Sequence, residues 1–423
     1  MREMKDSGME WIGKIPNTWY TDKIKYHFRR NEPRNPGDAV VLSVYREYGV
    51  IPKDSRDDNH NVTSEDTTKY KFVRKGDLVI NKMKAWQGSL AVSSYEGIVS
   101  PAYFIFNFSD STFNKRYFHY LIRSCYKDEF RRISGGIREG QWDLPAEMFV
   151  NEKVLIPPCN EQERIVSYLD SKCSEIEALS ADIQIEIDTL EEYKKSVITE
   201  AVTNGLNPNA EMKDSKTEWL GYIPKHWNTK RAKYLFEQKT DKGNKNALIL
   251  LSPTQNYGVI PQELYEELSG FSAVKLNEKT DFNLLKTVHK GAFVISLRSF
   301  QGGFEYSEYE GVVSPAYQVF YPTCLISDGY FKYLFKTQVF IDKMNSYTMS
   351  LRDGKNIAFA DFGRTYMPIP PVEEQQRIAD YLDNIVSEIN TTISEKKEQL
   401  TTLDEYKKSL IYEYVTGKKE VPA

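Results

Sequence analysis

The sequence predicts an α+β protein: two similar mixed α/β domains joined by two long helices that form an antiparallel coiled coil. Three observations carry this: an internal repeat about half the chain long, two Pro- and Gly-free stretches with heptad spacing, and short β-rich runs between Gly and Pro breaks. At 423 residues the chain exceeds what one hydrophobic core usually supports. Apolar residues make up 40% and charged residues 27%, which fits a folded protein rather than a disordered one.

The repeat comes first. EWIGKIPNTW from Glu10 returns as EWLGYIPKHW from Glu218, and YGVIP from Tyr48 returns at Tyr257. YEGIVSPAY from Tyr95 returns as YEGVVSPAY from Tyr309, and IPPCNEQERIVSYLD from Ile156 returns as IPPVEEQQRIADYLD from Ile369. LEEYKKSVI from Leu190 matches LDEYKKSLI from Leu403. The order is kept and the offset drifts by only a few residues. A period this long is a domain duplication, because solenoid repeats run at about 20 to 50 residues.

Each half divides in two. After Pro157-Pro158, Leu169, Ile176, Ile183, Leu190 and Val197 fall seven residues apart on a stretch without Pro or Gly up to Asn204. After Pro370-Pro371, Leu382, Ile389, Lys396, Leu403 and Leu410 repeat that spacing, with Lys396 as the one polar interruption. These ten residues form the expected coiled-coil seam. A whole domain separates the helices in the chain, so antiparallel pairing is the simplest outcome, with a pseudo-twofold axis relating the halves. The expected boundaries are 1–155 for the first domain, 156–204 for its spacer helix, 205–368 for the second domain, 369–416 for the second helix and 417–423 for a tail.

Inside the domains, Val40 to Val44, Asp77 to Asn81 and Ala102 to Phe108 read as strands. From Asn114 to Ile133, Phe118, Leu121, Ile122, Cys125 and Phe130 recur at helical spacing. The repeated VSPAY reads as a strand-entry turn.

Charge supplies the first functional argument. The net charge of −4 hides a segregation: Asn160 to Glu192 and Glu373 to Glu405 carry −8 and −6, leaving the rest of the chain at +10. Thr67 to Gly88 alone holds six basic residues and one acidic. Phosphate contacts need Lys and Arg, so the domains are candidates for DNA and the acidic helices for protein partners. Two segments per half add base-reading residue types. In the first half they supply Lys82, Lys84, Trp86 and Gln87, then Arg138 and Gln141 in a Gly-rich loop. In the second they supply Arg298, Phe300 and Gln301, then Arg352 and Lys355. These eleven residues are the candidate DNA contacts.

EWIGKIPNTW, KGDLVINKMKAWQGSL and the IPPxxEQERI helix entry resemble the specificity (S) subunit of type I restriction-modification enzymes, over essentially the whole chain and in the same order of domain, helix, domain, helix. The resemblance implies that each domain is a target recognition domain reading one half of a bipartite target in double-stranded DNA. It implies that the helices set the gap and dock two methyltransferase (M) subunits, with restriction/translocase (R) subunits joining them in bacterial defence. It places S-adenosylmethionine, ATP and magnesium on those partners and none on this chain.

The motifs of other classes are missing from the sequence. Ile-Pro-Pro-Cys and Ile-Pro-Pro-Val lack both ends of an adenine-methyltransferase Asn/Asp-Pro-Pro-aromatic motif, and there is no Walker loop or HExxH. A non-catalytic subunit is therefore expected, with no catalytic or metal-binding residues. Its five histidines lie too far apart for local metal pairs, and its four cysteines show no CxxC spacing. No stretch is apolar enough for a membrane span or signal peptide, so a cytoplasmic location without membrane contact is expected. The rival reading is a coiled-coil interaction scaffold without DNA sequence readout, which salt-dependent retention on DNA distinguishes.

Overall fold

A computed structural model describes residues 2–37, 39–56, 66–136, 142–242, 249–270, 284–296, 303–347 and 357–422. The chain folds as two compact units, Met1–Ile183 with Glu398–Ala423, and Gln184–Lys397.

The first unit is built around a four-stranded antiparallel sheet in the order Phe28–Arg30, Tyr103–Phe108, Leu78–Asn81, Leu90–Val92. Alternate side chains point to opposite faces of a strand, and here both faces are covered. Leu78, Ile80, Leu90 and Phe106 enter a large core with Trp19, Tyr117, Phe118 and the long-helix residues Leu169 and Leu410. Val79, Ala91 and Ile105 face a smaller core closed by Leu42, Val44, Val50, Val73 and Val99. That second core belongs to the hairpin Leu42–Tyr45 with Gly49–Pro52 and to the antiparallel pair Lys71–Val73 with Gly97–Val99, which flank the sheet strands Leu78–Asn81 and Leu90–Val92 in the chain. Two-sided covering is why Leu78–Asn81 is buried at every position instead of alternating.

The second unit repeats the plan, with the sheet order Phe236–Lys239, Gln318–Pro322, Phe293–Ile295, Phe304–Tyr306. Its large core is richer in Phe, and Val294 and Val319 face the smaller core. In both copies the VSPAY segment is a turn into a strand, closed by Tyr103 N–H donating to Ser100 O (3.0 Å) and Tyr317 N–H to Ser314 O (3.1 Å).

The helix expected from Asn114 to Ile133 is two helices, Lys115–Cys125 and Lys127–Ile133. Asn114 caps the first, its side chain accepting from the N–H groups of Arg116 and Tyr117. The break falls at Tyr126, with φ −98° and ψ 0°. There Tyr126 is wholly buried, edge-on to Trp11 at 4.7 Å, and its hydroxyl donates to Lys153 O (2.9 Å).

The long helices span Cys159–Asn204 (46 residues) and Val372–Val415 (44 residues). They run antiparallel within each unit. In the first unit Lys407 bonds Glu177 (2.6 Å) and Tyr414 meets Tyr168 (3.3 Å); in the second Lys396 pairs with Glu186 and Lys194 donates to Asn390 (3.0 Å). Of the ten expected seam residues, Leu169, Ile176, Ile183, Leu382, Ile389 and Leu410 are buried, and Leu190, Val197, Lys396 and Leu403 are half-buried. A second row completes the seam: Val166, Cys173 and Ile187, with Lys194, on one helix, and Ala379, Ile393 and Tyr414, with Lys407, on the other. Its lysines lay their stems along the seam and send their ammonium groups to polar partners.

Each domain is tied to both long helices by the same bonds in both units. Gln162 and Gln375 are fully buried behind the Pro-Pro pairs. Gln162 accepts from Asn114 N–H (2.7 Å) and donates to Pro157 O (2.9 Å); Gln375 accepts from Ser327 N–H (2.9 Å) and donates to Pro370 O (2.9 Å). Tyr120 and Tyr333 each donate to an aspartate, Asp170 and Asp383, at 2.7 Å. The other helix is held at its C-terminus, where Tyr117 donates to Val415 O (2.9 Å) and Tyr330 to Val202 O (2.7 Å). Gly417 (φ +70°) and Gly205 (φ +77°) follow those ends in the left-handed region, packed against Trp19 and Trp227.

Candidate nucleic-acid interface

The candidate interface in the first unit grows out of strand Leu78–Asn81. Its last residue turns into the loop Lys82 to Gly88, which carries a single 3-10 turn, Ala85–Gln87. Ala85 is buried and anchors the loop, while Lys84 stands exposed. The Trp86 ring lies 5.5 Å from Trp142, and its indole N–H donates to Met83 O (3.1 Å). Lys82 forms an ion pair with Asp143 (2.9 Å), and Leu144 N–H donates to Lys82 O (2.9 Å), so this loop is stitched to the segment after the Gly-rich stretch. Lys82 and Asp143 are both partly exposed, so their ion pair positions more than it stabilises.

Facing this loop is the hairpin Leu42–Tyr45 with Gly49–Pro52. Arg46, in its turn, donates from its guanidinium to Gln87 Oε1. Between loop and hairpin lies an open cavity of about 410 Å³, lined by Ser43, Lys53, Tyr70, Asn81, Met83, Lys84, Trp86, Gln87 and Tyr103 among others. Cations, amides and aromatic rings around a concave surface are the set that phosphate contact and base reading use.

The structure thus brings together Lys82, Lys84, Trp86 and Gln87. The other expected contacts, Arg138, Gln141, Arg298, Phe300, Gln301, Arg352 and Lys355, lie outside the described residues. The structure adds Arg46, Lys53 and Tyr70, which the sequence reading missed. The usable signal was the repeated YGVIP, which marks the hairpin, preceded by a basic residue in its turn.

The hairpin is held from beneath by the helix Lys115–Cys125. Arg123 donates to Leu90 O (3.1 Å), Arg46 O and Glu47 O (2.8 Å). His119 lies beside it; burial, reinforced by the neighbouring Arg123 charge, pulls its imidazole pKa down to about 4. Among the described residues no group of three or more His, Cys, Asp or Glu side chains is placed to hold a metal ion. Nor is any helix among them long and apolar enough to cross a membrane.

The chain is thus a duplicated domain, each copy tied to paired helices, and the first copy carries a loop of cations, amides and aromatic rings suited to nucleic acid. The family model for the type I restriction modification DNA specificity domain matches residues 23–189 and 224–402. The chain belongs to this family and is a type I restriction-modification specificity subunit with two DNA specificity domains. It is 21% identical over 430 residues to a putative type I restriction enzyme MjaX specificity subunit of Methanocaldococcus jannaschii, spanning 97% of this chain and 96% of that protein. Two solved structures share the fold. One, from work on complex assembly and conformational transition of the type I R-M system, has a TM-score of 0.69 at 14% identity, covering 96% of this chain and 99% of that one. The other is the HsdS subunit from Thermoanaerobacter tengcongensis, with a TM-score of 0.52 at 14% identity, covering 96% and 98%.

Proposed function

We propose that each domain reads one half of a bipartite target in double-stranded DNA, while the paired helices set the gap and dock two methyltransferase subunits, with restriction/translocase subunits joining that assembly in the cytoplasm. The observation that carries the reading is the loop from Lys82 to Gly88, whose exposed Lys84 and half-buried Trp86 and Gln87 line the cavity, with Arg46 touching Gln87. Lys84 contacts phosphate, and Gln87 and Arg46 contact base edges. Arg138, Gln141, Arg298, Phe300, Gln301, Arg352 and Lys355 are proposed to contribute in the same way.

The chain is proposed to be non-catalytic, with S-adenosylmethionine, ATP and magnesium bound by its partners. The acidic long helices support docking, since their charge is unsuited to DNA and suited to a basic protein surface. Mapping methylated adenines in DNA from cells carrying this chain and a methyltransferase partner tests the proposal. A split motif is expected, and Gln87→Ala should relax one position of one half, at about 1 to 3 kcal/mol of lost discrimination. Methylation unaffected by deleting the chain would overturn the reading.

A further inference from the structure

Four pairs of tyrosines stand exposed at equivalent places in the two halves: Tyr26 and Tyr234, Tyr48 and Tyr257, Tyr95 and Tyr309, Tyr193 and Tyr406. An exposed ring contributes little to folding, so its presence in both copies points to a task performed twice. Tyr48 is set apart by its place. It sits in the hairpin turn two residues from Arg46, which touches Gln87 of the reading loop.

The turn is built to present this ring rigidly. Tyr48 is followed by Gly49 at φ +71° and Tyr257 by Gly258 at φ +73°, a backbone region that other residues rarely adopt. A Cβ on Gly258 would meet Tyr306 O at 2.8 Å, and one on Gly49 would meet Ala91 Cβ at 3.0 Å. A cation at the equivalent position ties down each turn, Arg123 of the helix Lys115–Cys125 through Arg46 O and Glu47 O, and Lys336, just past the helix Asp328–Leu334, through Gln255 O (3.2 Å).

Within the turn, what is constant and what varies separate cleanly. From Tyr48 to Pro52 the halves are identical, while Tyr45-Arg46-Glu47 is replaced by Thr254-Gln255-Asn256. Arg pairs with guanine and Gln with adenine in the major groove, so the varying position holds a base-reading residue type in both halves. A group that reads bases must change when the half-site changes; a group on the sugar–phosphate backbone need not.

We infer that the two hairpin turns are a second DNA-contacting element, in which Tyr48 and Tyr257 hold the backbone whatever the sequence while Arg46 and Gln255 read a base. The inference rests on the DNA-reading function proposed above.

The test uses the full chain assembled with methyltransferase subunits, titrated with a duplex carrying the mapped target and with an unrelated duplex of the same length. Tyr48→Ala and Tyr257→Ala should each weaken binding of both duplexes by the same factor, about tenfold for a lost hydrogen bond to a charged phosphate. Tyrosine is neutral and releases no counterion, so the slope of log affinity against log salt should stay unchanged. The methylated motif should also stay unchanged, whereas Arg46→Gln should alter one base of one half-site. Unaltered affinity of both tyrosine variants, a loss confined to the target duplex, or an unchanged motif with Arg46→Gln would overturn the inference. If the unsubstituted assembly bound neither duplex, the proposed function itself would fall.

Discussion

The two units fasten the same hairpin by different chemistry. In the first, Arg123 spreads its guanidinium over three backbone carbonyls, and Ala91 lies beneath. In the second, Lys336 stands in the place of Arg123 and Glu305 in the place of Ala91, and the two form a 2.6 Å ion pair in which Glu305 is only 1% exposed. Burial raises the Glu305 carboxyl pKa despite the adjacent ammonium, and its Oε2 has no partner among the described residues. A planar fork saturates several dipoles by itself; a compact ammonium taken out of water calls for a countercharge. The duplication has preserved the mechanical job and left its chemistry free to change.

This comparison can be broken most forcefully at Lys336. Lys336→Met leaves Glu305 buried without its cation and should cost about 3 to 5 kcal/mol in urea unfolding. Arg123→Met strips only neutral carbonyls and should cost about 1 to 3 kcal/mol. Equal losses would erase the distinction between the two clamps.

A smaller effect follows from pH. Unfolded His119 titrates near its ordinary value of about 6.5, and folded His119 near about 4. Between those values the unfolded chain binds a proton that the folded chain refuses, so stability falls as pH drops through that window. The loss should reach at most about 3 kcal/mol, and above pH 7 it should be absent. It is read as the difference between the unsubstituted chain and His119→Gln, and a difference that persists at pH 8 would contradict this origin. Lys332 occupies the equivalent position in the second unit, so no matching term is expected there.

The smallest expected effect sharpens the likeness between the halves. Tyr117→Phe and Tyr330→Phe each remove one hydroxyl bond to a helix-end carbonyl and should each cost about 1 kcal/mol by thermal unfolding. Clearly unequal costs would show that the bonds are alike in geometry and not in energy.

Much of this architecture could be read from the residues, for identifiable reasons. Strands such as Leu78–Asn81 and Tyr103–Phe108 sit at the centre of a sheet, where burial demands β-branched and aromatic residues. One row of the helix seam was legible because its residues are nearly all apolar. The other row was hidden by Ser180 and by Lys194 and Lys407, whose stems pack while their ammonium groups escape. The helix break at Tyr126 left no trace, since neither Gly nor Pro marks it and tertiary packing sets it. At the candidate interface Lys84, Trp86 and Gln87 were visible as residue types. Arg46 was not, because its place beside Gln87 comes from a hairpin folding back across some 40 residues of chain.

The first unit contains residues from both extremes of the sequence. Leu410, Tyr414 and Val415 belong to the same core as Trp19, Tyr117 and Leu169. On the ribosome, the domain begun first is therefore completed last. Translation at about 5 to 20 residues per second needs roughly 10 to 40 s to pass through 184–397. During that interval the Trp19 and Tyr117 surface waits for a helix not yet made, while every residue of the second unit emerges before it. The nascent first domain thus presents an apolar face that a chaperone can shield or a neighbouring nascent chain can capture, and a faster passage through the second domain shortens that exposure.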